Sequence, residues 1–80
     1  MPWLTKRAEK DLAALPAALA IRAREEFAEL DANPNLGKKL QGRLQGKRSA
    51  RLGHTHRIMY AIDERGVIVL TIQPRRDAYR

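Results

Sequence analysis

Arg57 opens an otherwise largely apolar stretch that reads Arg57-Ile58-Met59-Tyr60-Ala61-Ile62-Asp63. After a second apolar run, Val67 to Ile72, the chain closes with Arg75, Arg76, Tyr79 and Arg80. A forked guanidinium can clamp a phosphate through two hydrogen bonds and offset the charge that grows in a pentavalent transition state. An aromatic ring beside arginines is a stacking platform for a base. Arg51 adds a third strand arginine; it stays protonated, so it can stabilise charge but is a poor general base. His54 and His56 are the two histidines, and either could move a proton near neutral pH. The plainer reading makes them a turn histidine and a strand-end histidine with no chemistry. No carboxylate or thiol lies close to them in sequence, so they do not read as a metal site.

Charge is distributed unevenly along the chain. The formal net charge is +7, but residues 1–37 carry a net −1 and residues 38–80 a net +8. One-sided charge of this kind suggests a polyanion-facing surface. Nucleic acid is the first candidate and an acidic protein the second. An anionic membrane is third, because the basic half lacks an amphipathic helix with large apolar residues. Lys38, Lys39, Arg43, Lys47 and Arg48 form a basic segment that could contact RNA backbone through charge, or simply be a solvated loop.

The elements that must position these side chains follow from spacing. Thr5 is a plausible N-cap for a helix from Lys6 to about Leu15. Pro16 breaks it and suits the first turn of a second helix, about Ala17 to Leu30. Leu19, Ala20, Ala23, Phe27 and Leu30 form the apolar stripe of that helix, with Arg22, Glu25, Glu26 and Glu29 facing water. Asn33-Pro34-Asn35 ends it. Trp3 and Leu4 either start a short strand or pack the N-terminus. Residues 35–50 are either a short helical turn or a loop pinned by Leu36, Leu40 and Leu44.

The period then becomes two. Three strands form an antiparallel meander, with Asp63-Glu64-Arg65-Gly66 as a hairpin turn. The fold class is α+β: a helical hairpin covering one face of a small antiparallel sheet, in a single domain over residues 1–80. Ala50, Leu52, Ile58, Tyr60, Ile62, Ile68, Leu70 and Ile72 are expected on the covered face. Arg51, Arg57, Met59, Val67, Val69 and Thr71 are expected on the other, joined by Gln73 and Arg75 if the alternation continues. With no cysteine, stability must come from ordinary packing. Neither a signal-peptide stretch nor a membrane span is expected, so the expected setting is soluble and cytoplasmic.

Four short motifs occur in a telling order: Lys39-Leu40-Gln41-Gly42, Ser49-Ala50-Arg51-Leu52-Gly53, His56-Arg57-Ile58-Met59-Tyr60-Ala61-Ile62-Asp63 and Arg75-Arg76-Asp77-Ala78-Tyr79-Arg80. With the N-terminal Ala8, Lys10, Asp11 and Leu12, they resemble the RelE/ParE toxin superfamily of type II toxin–antitoxin systems, RelE-like branch. The resemblance implies a RelE-like fold, a cognate antitoxin partner, and cleavage of mRNA in the ribosomal A site without a metal or other cofactor. It further implies that Arg57 grips the scissile phosphate and that Arg75 stabilises the transition state or leaving group. Tyr79 would stack on a base or orient the 2′-hydroxyl, and Arg51 would add positive charge. Arg76 would bridge to Asp77, touch ribosomal RNA or bind the antitoxin. Ser49 stands near a position that is lysine in some nuclease members, and Pro74 where some relatives have histidine. The general base is therefore unassigned. A ParE-like DNA gyrase inhibitor, or a degenerate toxin that still binds its antitoxin, remain the alternatives.

Overall fold

The computed structural model describes residues 2–75. In chain order the elements are β1 (Trp3–Leu4), α1 (Lys6–Ala14), α2 (Ala17–Ala32), β2 (Lys38–Lys39), β3 (Arg48–Leu52), β4 (His56–Asp63) and β5 (Gly66–Pro74). Two 3-10 turns, Pro34–Leu36 and Gly42–Leu44, flank β2. The sheet has five strands in the order β1-β5-β4-β3-β2. All its pairs are antiparallel except β1 with β5. The expected meander is thus the centre of a wider sheet, extended at each edge by a two-residue strand. β1 is the first of the two readings offered for Trp3 and Leu4, whereas β2 is too short to show any periodicity. Among the described residues, no helix is long and apolar enough to cross a membrane.

Both helices pack on one face, α1 mainly against β5 and α2 against β3. Thr5 caps α1 as expected, its Oγ1 accepting from the Ala8 N–H at 3.1 Å. The core joins Ala8, Ala23, Phe27 and Leu30 of the helices to Ala50, Leu52, Ile58, Tyr60, Val67, Val69 and Ile72 of the sheet. Burying each of the larger side chains contributes about 1.5–3 kcal/mol.

Strand β5 departs from simple alternation. Met59 pairs with Thr71 and Tyr60 with Val69, which leaves Leu70 as an extra residue, a β-bulge. A bulge reverses the parity of the residues beyond it. Val67 and Val69 therefore lie in the core, whereas simple alternation puts them on the opposite face. Ile68 pairs with Ala61 on the face expected for its neighbours. Ile62 shares the covered face by register but is 42% exposed, at the far end of β4.

Helix α1 compensates for the irregular strand. Thr5 Oγ1 donates to the Leu70 carbonyl at 2.7 Å, and the Thr5 N–H donates to Val69 O at 3.0 Å. Asp11 Oδ2 accepts from the Ile72 N–H at 3.0 Å. The Leu70 carbonyl at the bulge, and the Val69 carbonyl and Ile72 N–H on either side of it, are thus paired, as buried polar groups must be.

Candidate functional site

Register decides which side chains meet. In an antiparallel sheet, directly paired residues project to the same face. Arg51 pairs with Arg57, and Arg57 pairs with Gln73. These three form one row on the face opposite the helices. The next row is Lys38, Ser49, Met59 and Thr71. Ser49 and Met59 are buried, at 3% and 6% exposure, although the helices cover the other face. The Ser49 and Thr71 hydroxyls on either side of Met59 are buried with no hydrogen-bond partner among the described residues.

An open cleft of about 410 Å³ runs along this region. Its walls include Lys38, Ser49, Arg51, Arg57, Gly37 and Glu26. β2 pairs only with Arg48 and Ser49, so among the described residues no strand pairs with that edge of β3 from Ala50 onward. Along that edge a residue of α2 shares a cleft with side chains of the far face. Glu26 is half-buried there rather than facing water. Burial pushes its carboxyl above the usual carboxylate range. Repulsion from Glu29 adds to this and attraction to Arg22 opposes it. A helical signal for it existed, because position 26 falls inside the stripe of Ala23, Phe27 and Leu30.

The segment before β3 is held by Tyr60. This side chain is fully buried; its hydroxyl donates to Pro34 O at 2.7 Å and accepts from the Gly37 N–H at 2.8 Å. A Cβ on Gly37 would stand 2.5 Å from that hydroxyl, so the close approach requires glycine. Arg48 donates to Gly37 O at 2.9 Å and, more weakly, to Asn35 O at 3.5 Å. The loop that delivers Lys38 to the cleft is therefore pinned from two strands.

The structure brings together Arg51, Arg57 and Lys38. Arg75 lies just past the end of β5, exposed, its N–H donating to Thr55 O at 2.7 Å. Arg76 and Tyr79 lie outside the described residues. The basic segment does not form one surface. Lys38 shares the arginine face, whereas Lys39 pairs with Arg48, and Arg48 pairs with Tyr60 on the helix side. Arg43 and Lys47 are exposed in and after the second 3-10 turn. His56 pairs with Leu52 on the helix side, and its Nδ1 sits 2.7 Å from Thr55 Oγ1. His54 is exposed in the β3–β4 turn and borders a smaller depression with Arg22, Glu26 and Arg51.

Residues 4–79 match the model of the ParE toxin of type II toxin–antitoxin systems. Among solved structures, the fold is similar to a chain of the RelBE2 toxin–antitoxin complex from Mycobacterium tuberculosis. The identity there is 34% and the TM-score 0.79, over 94% of this chain and 100% of that one. A chain of the archaeal RelE–RelB complex from Pyrococcus horikoshii is 27% identical with a TM-score of 0.74, over 94% of this chain and 97% of that one. The YoeB/ParE toxin from Agrobacterium tumefaciens shares the fold at 19% identity and a TM-score of 0.81, covering 94% and 99%. No curated protein matches at the same standard. A match over nearly the whole chain, on this α+β architecture, makes the protein a member of the RelE/ParE toxin superfamily of type II toxin–antitoxin systems.

Proposed function

We propose that this toxin is a ribosome-dependent mRNA endonuclease of the RelE-like kind, which inhibits translation and is held in check by a cognate antitoxin. The observation that carries the reading is the direct opposition of Arg51 and Arg57 beside Lys38 in one cleft. Like charges placed directly opposite cost stability. A site that binds one phosphate puts that cost to use. Arg57 holds the scissile phosphate and Arg51 adds charge to the transition state. Arg75 acts at the leaving side, and Tyr79 orients the nucleotide. Lys39, Arg43, Lys47 and Arg76 contact ribosomal RNA through charge. Arg48 belongs to the same basic region but also holds the Gly37 loop. The similarity to the RelBE2 toxin–antitoxin complex and to the archaeal RelE–RelB complex supports the antitoxin partner and the RelE-like kind.

The test is a translation reaction with purified ribosomes and a defined mRNA, with RNA ends mapped by primer extension. New ends in the A-site codon, appearing only with ribosomes present, are expected. Intact mRNA together with inhibition of gyrase supercoiling would transfer the protein to the ParE-like reading, which the name of the matching family favours.

A further inference from the structure

Attack by a ribose 2′-hydroxyl requires something to take its proton. The cationic residues of the cleft cannot do so while protonated, and a serine hydroxyl is a weak acceptor. Glu26 is the one carboxylate, among the described residues, on the wall of the cleft lined by Arg51 and Arg57. It also borders the adjoining depression beside His54. A second observation points to a ligand in the same place. Ser49 Oγ, on the cleft wall, is buried and has no hydrogen-bond partner among the described residues.

We propose that Glu26, supplied by helix α2, is the proton acceptor of the cleavage reaction; the inference rests on the nuclease reading. The Glu26 carboxylate takes the proton of the 2′-hydroxyl. The 2′-oxygen bonds to phosphorus and the P–O5′ bond breaks. The 5′-oxygen leaves with the electron pair and takes a proton from water. The products are a 2′,3′-cyclic phosphate and a 5′-hydroxyl end. Arg57 and Arg51 offset the charge on the phosphoryl oxygens, and the Ser49 hydroxyl donates to one of them.

The surroundings of Glu26 suit a base. On its own helix it faces Arg22 and Glu29. From the sheet and turn it shares its clefts with Lys38, Arg51, Arg57 and His54. Burial and Glu29 raise its pKa, and a raised carboxyl is a better proton acceptor than an ordinary one. The raised value also means that folding favours the neutral form. This group's contribution to stability falls as pH rises through its titration. Glu26→Gln, which cannot ionise, should therefore fold at least as well as wild type at neutral pH.

The experiment is single-turnover mRNA cleavage on programmed ribosomes as a function of pH, with the full-length protein and four variants. Glu26→Gln should cleave at least about 100-fold more slowly and lose the acid limb of the profile. Arg22→Ala removes the charge that lowers the Glu26 pKa and should move that limb to higher pH. Glu29→Gln removes the charge that raises it and should move the limb to lower pH. A merely structural glutamate would not produce these opposite displacements. Wild-type cleavage by Glu26→Gln, or limbs unmoved in both neighbour variants, overturns the assignment and leaves the nuclease reading standing. Loss of the limb in His54→Ala, with the limb kept in Glu26→Gln, gives the role to the histidine. Absence of cleavage by the wild-type protein sinks the nuclease reading itself, and this inference with it.

Discussion

Arg51 and Arg57 face one another across β3 and β4, two cations in a directly opposed pair. Cross-strand like-charge pairs are destabilising, and opposite-charge pairs are worth about 0.2–1 kcal/mol. Under the proposed function the pair receives the scissile phosphate. Stability and activity should respond in opposite senses. Arg51→Ala should melt no lower than wild type while cleaving more slowly. A calorimetric scan beside the ribosome assay checks both, and a variant that melts lower while cleaving at full rate would speak against a phosphate site.

Arg57 should be the more sensitive of the two. Losing one transition-state donor typically costs on the order of 100–1,000-fold in rate. Arg57→Lys should rescue only part of it, because an ammonium cannot form the planar two-bond clamp. Single-turnover rates for Arg57→Ala and Arg57→Lys give the comparison. Full rescue by lysine would show that charge alone is at work.

Tyr60 and Gly37 should matter for stability. Tyr60→Phe removes one partner each from the Pro34 carbonyl and the Gly37 N–H. An unsatisfied buried group costs about 1–3 kcal/mol. In a domain of this size, each kcal/mol lowers Tm by roughly 4–8 °C. Gly37→Ala should be destabilising for a different reason, its Cβ meeting the Tyr60 ring. Thermal melts of the two variants test this, and an unchanged Tm in both would remove the pinning role.

Asp11 should be structural despite being charged and near the surface. Its Oδ2 accepts the Ile72 N–H, and its Oδ1 lies 3.2 Å from Arg7 Nε. A hydrogen bond to a charged group is worth about 1.5–3 kcal/mol. Most of the loss in Asp11→Ala should come from Ile72, since exposed i,i+4 pairs contribute about 0.3–0.5 kcal/mol. Arg7→Ala should accordingly be nearly silent in the same urea titration. Equal losses from the two substitutions would place the energy in the ion pair instead.

Because register divides the basic segment, its members should behave differently. Lys39→Ala and Lys47→Ala should weaken ribosome association and flatten its salt dependence, with little change in the cleavage rate once bound. Lys38→Ala should slow the bound-state reaction, since Lys38 lines the cleft. Ribosome binding across a salt series, paired with single-turnover rates, separates the two effects.

The N-cap at Thr5, the break at Pro16, the stripe of Ala23, Phe27 and Leu30, and the alternation of β3 and β4 are local or periodic features. They are legible because a helix and a strand each repeat with their own period. The pairing of Arg51 with Arg57 follows from that alternation and a short turn. What tertiary structure alone decides has no such repeat. The extra residue at Leu70 turns Val67 and Val69 inward; Thr5 and Asp11, distant in sequence, bond the Leu70 carbonyl and the nearby Ile72 N–H. Likewise, Lys38 and Lys39 are adjacent residues sent to opposite faces by a two-residue strand. The place of Glu26 depends on how α2 lies against β3 beyond its two pairs with β2. That arrangement is set by long-range packing, which no single segment encodes.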